Sequence, residues 1–207
     1  MSEETIAGVA WLLSAITRDL TAIGGEGVST ALSRLAEQDM SASAFREPEP
    51  RVLPACAWLA ETIAATMMVS PSVSAALAEI APHLRWKQNS NYSDELLGEG
   101  YMASYAYSEF IGPDGFYSGD DFLMGLLLLG PNRYYKDHAH PAPELYWTLT
   151  GPSLWRHAPG EFAARPAGSV IWHASSVIHA TRTQDQPLLA LWIWTEDTVH
   201  PARLVDA

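Results

Sequence analysis

The feature that most constrains the fold is a change of pattern near residue 86. Before it, apolar residues recur every three or four positions, which is the spacing of amphipathic helices. After it, turn-forming pairs such as Asp114-Gly115 and Gly151-Pro152 separate short runs rich in Leu, Val, Ile, Trp and Tyr, the pattern of antiparallel strands. The sequence therefore predicts an N-terminal helical layer over residues 1–85 and a β unit over residues 86–207, packed as one compact body.

Local signals give the helices their ends. Gly24-Gly25 follows the first apolar series and can end that helix in left-handed dihedrals. Ser70-Pro71 has the form of an N-cap followed by proline at the first helical position. The apolar positions of the four expected helices are Ile6, Val9, Leu13, Ile16 and Leu20; Val28, Leu32 and Leu35; Trp58, Ile63 and Met67; and Val73, Leu77 and Ile80.

Composition excludes several classes of protein. With 207 residues, 48% of them hydrophobic, the chain can bury a sizeable core. Its net charge of -12 and 12 scattered Lys and Arg residues provide no basic surface for phosphates, so we expect no nucleic-acid partner. The single cysteine, Cys56, cannot form an internal disulfide, which suits a reducing compartment.

We also expect no membrane partner. The N-terminus carries Glu3 and Glu4 where a secretory signal needs basic residues, and Arg18 and Asp19 interrupt its apolar pattern. The apolar run at 122–130 is too short to cross a bilayer. These features favour a cytoplasmic location.

Metal-ligand chemistry is concentrated in the stretch HAHPAPELY, residues 138–146. On a strand, residues two apart share a face, so His138 and His140 point the same way, as do Glu144 and Tyr146. The Pro-Ala-Pro segment between the two pairs can turn the chain and bring them together. Imidazole and carboxylate ligands suit one divalent transition metal, such as iron, zinc, manganese or nickel, with a further ligand from elsewhere in the chain.

This stretch resembles the first motif of the cupin superfamily, in which a His-x-His pair is followed by Glu and then Gly; here these are His138, His140, Glu144 and Gly151. The resemblance implies a mainly β fold, the cupin double-stranded β-helix or jelly-roll barrel. The second cupin motif runs from a glycine through Pro-x-Gly to a histidine and an asparagine, and it can be aligned with this sequence in two ways. The alignment that begins at Gly160 puts Ile171 at the histidine position. The other begins at Gly168 and supplies His179 as the distant ligand. It departs from the motif at Ala174, Ser176 and Thr183, where Pro, Gly and Asn are usual.

The β half also resembles the cupin-type dimethylsulfoniopropionate lyases, in particular their marine-bacterial branch of about two hundred residues, while the helical half resembles them only in architecture. Four segments carry the likeness: Tyr134-Tyr135, Glu144-Leu145-Tyr146, the HATRT run at 179–183 and the aromatic run at 188–194. The resemblance implies cleavage of dimethylsulfoniopropionate to dimethyl sulfide and acrylate, with a divalent metal and a tyrosine base. Related cupins without this activity leave the substrate open.

The chemistry assigns a role to each candidate residue. The metal ligands are His138, His140, Glu144 and His179, although in the resembling lyases the first histidine can lie beside the metal and serve the substrate. Tyr146 is the base, because a neighbouring dication favours the phenolate. Aromatic faces attract a sulfonium cation, and the candidates for this contact are Tyr105, Tyr107, Tyr135, Trp192 and Trp194.

Alternatives remain at this stage. The same ligands could serve a dioxygenase, an isomerase, a lyase-like cupin acting on a different small carboxylate, or a non-catalytic binding protein. The tryptophans could belong to the barrel core, and Tyr146 could be a buried structural tyrosine. His173 is expected to end a strand, either at the surface or behind a ligand, and His83, His157 and His200 receive no role. The oligomeric state is left open.

Overall fold

The computed structural model describes residues 3–205, in which six α-helices and eleven strands follow the predicted order. The helices are α1 (Glu3–Ile23), α2 (Val28–Ala36), α3 (Leu59–Thr66), α4 (Pro71–Ile80), α5 (Asp94–Leu97) and α6 (Tyr101–Ser104), with 3-10 turns at Pro54–Trp58 and Ala81–His83. The first four lie where the apolar spacing predicts helices. The short α5 and α6 were not predicted, and they interrupt the region expected to be purely β.

The predicted helix ends are confirmed by their local chemistry. Gly24, with a φ of 66°, follows the last residue of α1 in the left-handed region. The Ser70 hydroxyl accepts a hydrogen bond from the Val73 amide at 3.1 Å, and Pro71 is the first residue of α4. An N-cap of this kind satisfies one of the backbone amides that the first helical turn leaves unpaired.

The strands form two antiparallel sheets. They are β1 (Trp86–Lys87), β2 (Tyr105–Ile111), β3 (Leu123–Leu129), β4 (Tyr134–Ala139), β5 (Glu144–Thr148), β6 (Ser153–His157), β7 (Ala163–Arg165), β8 (Val170–His173), β9 (His179–Thr183), β10 (Leu188–Trp194) and β11 (Arg203–Leu204). One sheet has the order β1-β2-β3-β10-β5-β8 and the other the order β11-β4-β9-β6-β7. The prediction of a mainly β cupin barrel with an N-terminal helical layer is confirmed.

The six-stranded sheet has two chemically different faces. Along β5, Leu145 and Trp147 point to the helices, whereas Glu144 and Tyr146 point between the two sheets. The outward residues of the sheet pack with helices α1, α2, α3 and α4 in one apolar core, which contains Leu12, Leu77 and Leu191 together with aromatic residues such as Trp147. Because this core includes helical and sheet residues alike, the helical layer is packed onto the barrel. The boundary between residues 85 and 86 stays a prediction as a domain division.

Helix α1 is long and apolar enough to cross a membrane. Judged by length and composition alone, it is the one helix within residues 3–205 that could do so. Core helices pass the same test, and the side of α1 that carries Leu12, Ile16 and Leu20 is buried in the core beside α4. The apolar character of α1 is therefore explained by packing.

Candidate metal centre and the cavity beside it

His140, Glu144 and His179 bring their ligand atoms together inside the barrel. These atoms all lie within 4.8 Å of one another, and all three side chains are buried. The Glu144 Oε2 atom lies 3.1 Å from His140 Nε2 and 3.4 Å from His179 Nε2. Two imidazoles and one carboxylate at this spacing form a set that suits a first-row divalent metal.

Strand register explains why residues distant in sequence meet here. Glu144 begins β5 and lies between His173 of β8 and Trp194 of β10. His179 begins β9 in the opposite sheet and pairs with His138 of β4. The two sheets therefore present their ligands to the same interior space from opposite sides.

Backbone contacts orient the imidazoles. Nδ1 of His140 lies 2.8 Å from the Ala142 carbonyl, and Nδ1 of His179 lies 2.9 Å from the Val177 carbonyl. A carbonyl oxygen only accepts, so each Nδ1 donates its proton, and each Nε2 points to the Glu144 carboxylate. Nε2 of His140 lies within hydrogen-bond distance of Oε2, whereas the buried Nε2 of His179 has no hydrogen-bond partner. A buried imidazole nitrogen without a partner beside a carboxylate fits a metal ligand.

The charge of Glu144 is stabilised by its surroundings. Burial raises its pKa, but the neighbouring His140 and His179 outweigh burial and hold the pKa of this carboxyl well below 4.5. Its second oxygen, Oε1, accepts a hydrogen bond from the indole of Trp194 at 2.8 Å. Glu144 is therefore a carboxylate in a fixed orientation, as a metal ligand must be.

His138 lies beside this group rather than within it. Its ring centroid is 4.1 Å from that of His179 and 6.4 Å from that of His140, and the ring stacks on Tyr135 at 3.8 Å. Nδ1 of His138 lies 2.8 Å from the Lys136 carbonyl, so its Nε2 is also free to accept. Direct ligation by His138 stays a prediction.

A cavity of about 170 Å³ opens next to the centre. Its wall includes Glu144 and Tyr146 together with the five aromatic residues predicted for substrate contact: Tyr105, Tyr107, Tyr135, Trp192 and Trp194. Trp192 and Trp194 thus face this cavity and lie outside the apolar core between the sheet and the helices. The volume suits a small organic molecule.

Tyr146 is buried and close to the charge of Glu144. Burial, followed by the Glu144 carboxylate, raises the pKa of the phenol well above 10.0. In these surroundings the hydroxyl is a neutral donor. A role as base therefore requires an additional positive charge near its oxygen.

His173 is buried behind His179, which is one of the two positions that the sequence left open. Its ring stacks on that of His179, with centroids 3.9 Å apart and planes inclined by 13°. Nδ1 of His173 lies 2.6 Å from Nε2 of the exposed His157, which had been given no role. His173 therefore supports the ring of His179 from behind.

Sequence reasoning missed other parts of the cavity wall. Glu109 lines it from β2, and residues 198–202, after the last long strand, close its rim. The Asp121 carboxylate holds this rim segment by accepting from the Thr198 amide at 2.9 Å, and the Asn89 side chain donates to the Ala202 carbonyl at 2.8 Å. No motif marks these residues, since each reaches the cavity through the course of the chain.

Comparison with known proteins gives one consistent result. The family model described as dimethylsulfoniopropionate lyase matches residues 28–190. The dimethylsulfoniopropionate lyase DddQ of Ruegeria pomeroyi is 32% identical over 109 residues, which cover 51% of this chain and 53% of that protein. The putative dimethylsulfoniopropionate lyase DddL of Cereibacter sphaeroides is 30% identical over 125 residues, which cover 59% of this chain and 50% of that protein. The chain thus spans about half the length of the curated relatives it matches.

Solved structures agree on the fold. The crystal structure of DddQ from Ruegeria pomeroyi superposes with a TM-score of 0.74 at 24% identity and covers 96% of each chain. A structure reported with the lyases RdDddP and RnDddQII gives a TM-score of 0.73 at 20% identity, covering 98% of this chain and 100% of the other. The helical layer and the barrel are therefore shared over nearly the whole length.

Proposed function

Because this chain belongs to the dimethylsulfoniopropionate lyase family, we propose that it cleaves dimethylsulfoniopropionate to dimethyl sulfide and acrylate by β-elimination. The observation that carries the proposal is the buried group of His140, Glu144 and His179 at the wall of a small aromatic cavity that also contains Tyr146. A carbon–sulfur lyase needs a site for the substrate carboxylate, a base for the α-proton and room for the departing sulfide. The cavity can supply all three.

The residues present fit a metal cofactor, since His140, Glu144 and His179 offer two aligned lone pairs and one carboxylate. A divalent transition metal (iron, zinc, manganese or nickel) held by them would supply positive charge that polarises the substrate carboxylate and offsets the Glu144 charge beside Tyr146. His138 lies next to His179 and can complete the ligand set or bind the substrate. These ligand roles are part of the proposal.

Tyr146 acts as the base in this mechanism. Its phenolate oxygen takes the α-proton, and the electrons of the broken C–H bond form the double bond of acrylate. The bond between the β-carbon and sulfur breaks, and sulfur leaves with that electron pair as neutral dimethyl sulfide. Burial of the site excludes water, which would otherwise compete for the proton.

The aromatic wall holds the sulfonium end. Tyr107 and Trp192 meet edge to face with ring centroids 6.1 Å apart, and Trp192 and Trp194 meet at 6.0 Å. The faces of such rings attract a cation. Tyr105 and Tyr135 complete this side of the cavity. Tyr135 stacks on His138, and its hydroxyl shares a hydrogen bond of 2.8 Å with the hydroxyl of Tyr92.

The proposal also includes a cytoplasmic location and a small molecule as the main partner. The single cysteine supports a reducing compartment. The burial of one side of α1 in the core supports a protein that does not use this helix as a membrane anchor.

The test replaces Tyr146 with Phe in metal-loaded protein supplied with dimethylsulfoniopropionate. We expect release of dimethyl sulfide to fall by about a hundredfold or more, because general-base catalysis typically contributes 10²–10⁴ in rate. Headspace gas chromatography measures the release, and elemental analysis measures bound metal, which should not change.

Tyr101→Phe is the matched control. Tyr101 is an equally buried tyrosine of the same aromatic cluster, its hydroxyl has no hydrogen-bond partner, and it does not line the cavity. The control should keep the parent rate. Full activity in Tyr146→Phe would remove Tyr146 as the base, and a metal-loaded parent that releases no dimethyl sulfide would overturn the proposed reaction and direct the search to oxygenase or isomerase substrates.

A further inference from the structure

The cavity has a second buried carboxylate, which the elimination mechanism does not use. Glu109 is 3% exposed and lines the wall together with Glu144. Among the described residues of this wall, these two are the only charged side chains, and both are acidic. An acidic, aromatic cavity favours a ligand with a positively charged group.

Strand pairing places Glu109 at the far end of the cavity from the candidate base. Glu109 pairs with Gly125, Gly125 with Trp192, and Trp192 with Tyr146, so the four form one row across the sheet. Three steps between neighbouring strands separate the Cα atoms of Glu109 and Tyr146 by roughly 14 Å along the sheet. A small molecule between them can have one end at the metal centre and the other facing Glu109.

Gly125 brings β2 and β3 close together beside Glu109. A Cβ atom at Gly125 would lie 1.8 Å from the backbone oxygen of Ser108, so the close approach of the two strands requires glycine. Across β3 from Glu109, Trp192 of β10 lines the same cavity wall. Glu109 and Trp192 therefore both face the cavity, on either side of a strand that has no side chain at this position.

The groups that hold Glu109 approach it from outside the cavity. Lys87 Nζ lies 3.0 Å from Glu109 Oε1 and also pairs with the Asp114 side chain, and the Asp114 backbone amide donates to Glu109 Oε2 at 2.9 Å. Lys87 and Asp114 line a separate surface depression. Lys87 and the Asp114 amide therefore fix the carboxylate in place, and Glu109 is the one residue of this network that lines the cavity.

We propose that Glu109 is a specificity-determining residue that selects zwitterionic substrates, in which a carboxylate and an organic cation are joined by a short chain. This inference rests on the proposed function, because it takes the carboxylate end to bind at the metal centre. Tyr107 and Trp192 provide faces that attract a cation but also bind neutral apolar groups. The charge of Glu109 distinguishes the two.

The experiment compares two unreactive ligands of similar shape in the metal-loaded protein. 3-(Dimethylammonio)propionate is a zwitterion whose ammonium group is a poor leaving group, whereas 4-methylpentanoate is an anion of the same shape with no positive charge. In Glu109→Gln, affinity for the zwitterion should fall about tenfold, as expected for removing one nearby partly screened charge, while affinity for 4-methylpentanoate should stay the same or rise, because a like charge has been removed. Isothermal titration calorimetry measures both.

Matched variants separate charge selection from a structural role. Asp114→Asn removes a carboxylate from the same network outside the cavity and should leave the ratio of the two affinities unchanged. Glu109→Asp keeps the charge and should keep most of the preference for the cation. Thermal midpoints recorded for each variant check the fold.

Each result decides the inference. An unchanged affinity ratio in Glu109→Gln, with both affinities retained or both lost equally, overturns the role of Glu109. If the parent binds both ligands and Glu109→Gln changes their affinity ratio, but no dimethyl sulfide is released, the proposed reaction is wrong and the role of Glu109 stands. A parent that binds neither ligand overturns both.

Discussion

The two faces of the six-stranded sheet are built from alternate residues of the same strands, yet they have little in common. The outer face is apolar, with Leu145, Trp147 and Leu191 packed against the helices. The inner face carries tyrosine, tryptophan, histidine and glutamate side chains around the candidate metal centre, beside leucines such as Leu127. The difference teaches that a strand of period two can encode folding stability on one face and chemistry on the other.

The sharpest test of this separation is Glu144→Gln on the inner face. Losing a partner outside the ligand shell typically costs 10–100-fold in metal affinity or activity, so losing a ligand should reduce turnover by at least about a thousandfold. The free energy of unfolding of the metal-free protein should fall by no more than about 3–5 kcal/mol, the cost of removing one partner from a buried ion pair, and the outer core should stay folded. Metal content, dimethyl sulfide release and urea denaturation test both halves of this expectation. Loss of the cooperative unfolding transition itself would show that the two faces are not separable.

The converse change is Trp147→Ala on the outer face, next to Tyr146 in sequence. Trp147 is fully buried in the apolar core between the sheet and the helices, and its truncation should lower the free energy of unfolding by about 3–5 kcal/mol. The fraction that remains folded should keep its metal and its turnover. Urea denaturation and activity per folded molecule provide the measurements.

Trp147→Phe is the milder control for this position. The indole nitrogen of Trp147 is buried and has no hydrogen-bond partner, so its removal leaves no unsatisfied group behind. The cost should stay below about 1.5 kcal/mol, as for a swap between large apolar side chains. A metal-site defect in either Trp147 variant would contradict the separation of the two faces.

Between pH 7.5 and pH 5, acidification should act on the buried histidines of the inner face. Burial, and then the neighbouring His179, lower the pKa of His138 and His173 well below 6.5. Below pH 6.5 the unfolded chain therefore binds more protons than the folded one, and stability falls as the pH falls. Glu144 acts in the same direction below pH 4.5, because its folded pKa is lowered.

The free energy of unfolding of the metal-free protein, measured by urea denaturation between pH 7.5 and pH 5, should therefore decline below pH 6.5 by about 1 kcal/mol per pH unit for each of these histidines. His173→Phe should flatten the decline. Trp147→Phe should shift the midpoint by a similar amount at every pH. Equal slopes in the parent and in His173→Phe would contradict the assignment of a neutral buried His173.

The sequence predicted those features that depend on local chemistry. Gly24 and Ser70 end and begin helices through their own backbone and hydroxyl, and the alternation along β5 places Glu144 and Tyr146 on one face. The motif spacing likewise predicted that His140 and Glu144 come together, whereas His138, expected on the same face, lies beside their group.

The remaining features depend on strand register, which no short segment encodes. A register shift in β4 between Tyr135 and His138 allows two residues of opposite parity to stack on each other. A second shift in β2 follows Glu109, the residue that sequence reasoning overlooked. His173 was placed at a strand end, and only its pairing with Glu144 shows that it lies behind the metal centre.

The strand order has a consequence for how the protein is made. In the six-stranded sheet β5 lies between β8 and β10, both of which are synthesised after it. As the chain leaves the ribosome, His140 and Glu144 therefore appear well before His179 and before Trp194, the residue that orients Glu144. The nascent chain should therefore assemble the proposed metal centre only after β10 has emerged, when every strand except the short β11 has been made.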